Sequence, residues 1–115
     1  MALSRQLGCY SRPVVLEVAR LTVAEGKEAE FEQAFDEFKA VLASAQGFHG
    51  AQLQQGIERP NEYWLFVQWE TVEAHTVHFK QAGGFARWEE LVAPHLAAPP
   101  DAVHVQLRTS LDAVG

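Results

Sequence analysis

The stretch YWLFVQWETVEAHTVHFKQAGGF, residues 63–85, decides the fold. In an extended chain Tyr63, Leu65, Val67 and Trp69 share one face, while Trp64 and Phe66 share the other. A strand this apolar on both sides does not border water, because fully burying one such side chain is worth about 1.5–3 kcal/mol. The strand ends in Trp69-Glu70-Thr71 and a helix starts at once. Thr71 suits an N-cap, its hydroxyl accepting from a free helical N–H, and Glu73 suits the positive helix start. This helix is expected to reach about Gln81, before Gly83-Gly84 breaks it, and it carries His75 and His78.

Working outward, residues 14–23 (VVLEVARLTV) are rich in β-branched side chains and read as a strand, with Val14, Leu16 and Val18 on one face. Phe31, Ala34, Phe35, Phe38, Val41, Leu42 and Ala45 then follow the spacing of an amphipathic helix. Gly47 is placed to end it. Residues 48–58 read as a second strand, and Arg59-Pro60-Asn61 as the turn of a hairpin into the strand from Glu62 to Trp69. Phe85, Trp88, Leu91 and Val92 mark another helical segment, stopped before Pro94. Val103, Val105 and Leu107 alternate with polar residues in a last strand. The order β-α-β-β-α-β is the ferredoxin-like arrangement of the α+β class, a four-stranded antiparallel sheet with helices on one face. The helix-free face would then leave Trp64 and Phe66 wet. A second copy of the chain is the simplest cover, so a homodimer through that face is expected.

At 115 residues the chain is long enough for one domain, placed at residues 14–109 between a flexible N-terminal arm (1–13) and a C-terminal tail (110–115). Hydrophobic content of 48% with 21% charged residues is that of a globular protein. A net charge of −6 offers no basic surface, which argues against nucleic acid and anionic membranes. No apolar run approaches the roughly 20 residues that span a bilayer, and the N-terminus lacks the apolar core of a secretory signal. The single cysteine, Cys9, excludes an internal disulfide and fits a cytoplasmic location.

With these elements in order, the chain resembles the antibiotic biosynthesis monooxygenase (ABM) domain family of small dimeric α+β barrels. The resemblance rests on Val18-Ala19-Arg20-Leu21-Thr22-Val23 followed by Gly26, on Gly47-Phe48-His49-Gly50, and on Val67-Gln68-Trp69-Glu70-Thr71 with Glu73-Ala74. His78, nine residues after Trp69, and Phe85 complete it. The resemblance implies one of several chemistries. Some members oxidise phenols, quinols or anthrone-like substrates with O2 and neither metal nor flavin, others degrade haem, and many have no known activity. Where haem-degrading members carry Asn, Trp and a ligating His, this chain reads Ala19, His78 and Glu89, which argues against haem breakdown.

The expected function is therefore a cofactor-independent monooxygenase acting on a small aromatic substrate. The alternative is a non-catalytic dimeric module that binds an apolar ligand or a protein. His78 fills the position of a family histidine, and a neutral imidazole there would accept a phenol proton. Trp64 and Phe66 are expected to shape an apolar pocket, with Gln68, His75 and Arg20 contacting the substrate. His75 and His78 supply only half a metal site, because His49, His95 and His104 have no spacing that adds a third ligand. No phosphate-cradling glycine motif is present, so no cofactor is expected.

Overall fold

The computed structural model describes residues 14–113. In chain order it contains β1 (Val15–Thr22), α1 (Glu28–Ala43), β2 (Phe48–Gln55), β3 (Glu62–Trp69), a π-helix (Ala74–Phe79), α2 (Gly84–Leu91), a short 3-10 turn (Ala93–His95) and β4 (Asp101–Gln106). The strands form one antiparallel sheet in the order β2-β3-β1-β4, with both helical segments on one face. This is the ferredoxin-like arrangement expected from the sequence. The expected N-terminal arm, Cys9 included, lies outside the described residues.

Alternation along β3 sets the two layers. Tyr63, Leu65, Val67 and Trp69 turn toward the helices and are buried, meeting Phe31, Phe35, Phe38 and Leu42 of α1 and Phe79 of the π-helix. Trp64, Phe66 and Gln68 turn to the opposite face, where the register sets Val18 beside Phe66 and Val103, and Leu16 beside Val105. Val103 and Val105 stand 55% and 44% exposed there. Burial of Tyr63 behind α1 also lifts its phenol well above the ordinary range, aided by its hydrogen bond to the Glu32 carboxylate.

The segment after β3 is helical over residues 72–81, as the spacing predicts, and Thr71 Oγ1 accepts from the Ala74 N–H at 3.0 Å. Its middle, however, is wound as a π-helix, a form that occurs mostly as single turns and frequently at functional sites. The wider turn carries Ala74, His75 and Phe79 inward and leaves Thr76, Val77 and His78 exposed. Gly83-Gly84 does more than end this helix. Gly83 adopts φ +91°, and a Cβ on Gly84 would lie 2.3 Å from the Phe79 ring, so only glycine lets α2 start this close to the core.

Candidate active site

Between the helix-facing side of β1 and β3 and the second helical layer lies a cavity of about 270 Å³. Its walls are mainly apolar, with Leu21, Phe38, Leu65, Phe79, Phe85 and Trp88 prominent. Among the described residues, three ionisable side chains enter the lining, Glu17, His75 and Glu89, and no lysine or arginine does.

Sheet register assembles the polar part. Glu17 of β1 pairs with His104 of β4 and with Val67 of β3, so Trp69 stands on the same face, diagonal to Glu17. The Trp69 indole Nε1–H donates to Glu17 Oε1 at 2.9 Å. The π-helix brings His75 over the pair, its Nε2 lying 3.4 Å from the same Glu17 oxygen. On the other side of the ring, Nδ1 meets His104 Nε2 at 2.8 Å. His75 also stacks on Trp69, with ring centroids 5.3 Å apart and planes 15° from parallel, and Phe85 meets its edge. Glu17, His75 and His104 therefore form a chain, not a ring around one centre. Among the described residues no group of three potential ligands is arranged to hold a metal ion.

Burial governs the charges. Glu17 is only 7% exposed, and loss of water raises its pKa above the usual carboxylate value, with the Trp69 hydrogen bond partly opposing the shift. For His75 burial works the other way, and together with neighbouring His104 it pushes the pKa down to about 4. Both shifts oppose ionisation, so burial outweighs the attraction that would make His75 and Glu17 an ion pair. A depressed histidine contributes stability that is full above its unfolded value near 6.5 and lost as pH falls through about 4. Wild-type urea midpoints should thus fall more steeply between pH 6.5 and 4 than those of His75→Gln. Parallel slopes would show that His75 is not buried as a neutral ring.

Of the residues singled out from the sequence, His75 lines the cavity. His78 is exposed and does not line it. Trp64, Phe66 and Gln68 lie on the helix-free face of the sheet, away from the cavity. Arg20 is on that face too, half-exposed, 3.7 Å from Asp101 and 4.0 Å from Glu62. Sequence reading missed Glu17 and His104 as site residues. For Glu17 a signal existed: it alone is charged in the series Val15, Glu17, Ala19, Leu21 on the inward face of β1. His104 had none, because only strand pairing brings it to Glu17.

Several known proteins share this architecture. The family model described as antibiotic biosynthesis monooxygenase matches residues 14–91. A solved structure of a candidate antibiotic biosynthesis monooxygenase from Bordetella bronchiseptica is 37% identical, covers 85% of this chain and 100% of its own, and superposes with a TM-score of 0.82. The uncharacterised Bacillus subtilis protein YczJ is 32% identical over 93 residues, 81% of this chain and 98% of that one. SnoaB, a cofactor-independent oxygenase from Streptomyces nogalater, is 25% identical, with 89% of this chain and 100% of SnoaB covered and a TM-score of 0.72. With the matched region running from β1 through α2, this chain belongs to the antibiotic biosynthesis monooxygenase family.

Proposed function

We propose that this chain is a cofactor-independent monooxygenase that oxidises a small quinol, phenol or anthrone-like substrate with O2. The observation that carries the reading is a buried carboxyl–imidazole pair, Glu17 and His75, in an otherwise aromatic and aliphatic cavity. Oxygen accepts an electron far more readily from a substrate anion than from the neutral phenol, so the site has to take a proton. A carboxyl whose pKa burial raises is a better-matched acceptor than an ordinary one. One oxygen atom enters the substrate, and the other leaves as water with two substrate hydrogens. Aromatic walls suit a flat ring, and two carboxyl groups with no lysine or arginine beside them among the described residues disfavour substrates that bear an acid group. SnoaB's description as a cofactor-independent oxygenase supports the same chemistry.

Oxygen uptake with a panel of quinols and anthrones tests the proposal. Ligand-induced stabilisation with no oxygen consumption across the panel would favour the binding-module alternative. The same assay on His78→Ala decides whether the proton goes to the cavity pair or to the exposed histidine.

The helix-free face completes the proposal. Leu16, Val18, Trp64, Phe66, Val103 and Val105 form an apolar surface that a second copy would cover. Equilibrium sedimentation should give twice the chain mass, and Phe66→Lys should shift it toward the single-chain mass. A wild-type single-chain mass at micromolar concentration would remove the dimer.

A further inference from the structure

Glu17 and His75 lie in the cavity wall, but His104 does not. It sits on the edge strand β4, half-buried, opposite Glu17 in the register, and its Nε2 meets His75 Nδ1. We propose that Glu17, His75 and His104 form a proton wire, in which His104 receives the substrate proton during oxidation and returns it when water is released. The inference rests on the monooxygenase reading and adds a residue outside the cavity to it.

The geometry supplies each link. The β1–β4 register fixes Glu17 opposite His104, and His75 bridges them with its two ring nitrogens, one turned to each. A separation of 2.8 Å between His75 Nδ1 and His104 Nε2 requires one shared proton, since two N–H groups or two lone pairs would repel. Stacking on Trp69 and the edge contact with Phe85 hold the bridging ring in place.

Charge explains why a third member is needed. Were the proton to stop on Glu17 in its ionised form, the cavity would hold one negative charge before and after transfer. Burial shifts Glu17 toward its protonated form, and a protonated carboxyl accepts a proton only by passing one on. In the relay the substrate O–H breaks as an O–H forms at Glu17 Oε2, and the proton on Oε1 passes to His75 Nε2. His75 Nδ1 then gives its proton to His104 Nε2. Glu17 and His75 end neutral, the substrate carries one negative charge, and His104 carries one positive charge. Of the three groups, His104 is the one set at the sheet edge, where water stabilises a cation. Cleavage of the O–O bond returns the proton along the same path to the departing oxygen, which restores both ring tautomers. Among the described residues the ionisable groups in contact with His75 are Glu17 from β1 and His104 from β4, β3 and α2 contribute Trp69 and Phe85, and Glu89 of α2 lines the same cavity.

The test pairs spectroscopy with kinetics. Nitrogen NMR of histidine-labelled resting protein should show one proton shared between His75 and His104, a signal that His75→Gln abolishes. Absence of a shared proton between the two rings would break the wire. With a turned-over quinol, His104→Ala and His104→Gln should each lower kcat about tenfold or more with KM nearly unchanged. Imidazole in the buffer should restore part of the alanine variant's rate, and the curved dependence of kcat on deuterium content should become linear. Glutamine keeps a hydrogen bond to His75 but cannot hold the proton. Full activity of His104→Gln would therefore reduce His104 to a structural role, and unchanged kcat in His104→Ala would overturn the proposal. If no aromatic compound is oxidised, the functional reading fails while the NMR arm still reports on the shared proton.

Discussion

Truncating Trp69 to alanine is expected to destabilise the domain by about 3–5 kcal/mol. That is a large share of the roughly 5–15 kcal/mol typical of a domain, so the variant should be substantially less resistant to urea or fail to fold. Trp69 is fully buried, and its ring packs against Phe48 and Phe79 at centroid distances of 6.0 and 5.4 Å and stacks on His75. Removal would leave a void between β3 and the π-helix, and it would strip Glu17 of the indole donor 2.9 Å away. The second loss separates this residue from an ordinary core aromatic. Trp69→Phe keeps much of the ring volume and removes only the donor, so it should fold with a smaller loss. Its Glu17 should titrate higher still, because the Trp69 hydrogen bond is what opposes the effect of burial. Circular dichroism across a urea gradient gives the first result. An alanine variant within 1 kcal/mol of wild type, well under the usual loss for such a site, would mean that the cavity collapses around the gap.

Glu17→Gln should have the opposite profile, with turnover falling about 100-fold or more and stability held. The amide is nearly isosteric and its oxygen still accepts from Trp69, so the packing around β1 has no reason to change. A carboxyl whose folded pKa is raised contributes stability at low pH that is lost as pH rises through the folded value. Glutamine has no such titration. Above that pH the variant should be at least as stable as wild type, while losing the group proposed to accept the substrate proton. Loss of activity with a gained or equal melting temperature is the signature of a residue kept for chemistry at the expense of packing. Oxygen uptake and a thermal melt on one preparation measure both. Wild-type turnover in Glu17→Gln would remove the carboxyl from the mechanism.

These two residues also show how far the sequence could be read. The amino-acid pattern determined the element order, because each strand and helix announces itself through local alternation, periodicity and capping. The bounds of β3, the Thr71 cap and the inward face of α1 all follow from such local signals. It also raised the expectation that β3 is covered on both faces, since the apolar groups of Trp64 and Phe66 are as costly to expose as those on the core side. The site was only partly legible. Tertiary structure alone decided that Glu17, His75 and His104 meet, because the residues lie 58 and 29 positions apart, with strand register pairing Glu17 and His104 and the π-helix setting His75 between them. It also decided between the two helix histidines. Regular α-helical spacing makes His75 and His78 neighbours on one face, but the π-winding between Ala74 and Phe79 turns one ring to the cavity and the other to water. Phe79, the last residue of that winding, packs against Gly84, a contact between segments that no pattern of single residues encodes.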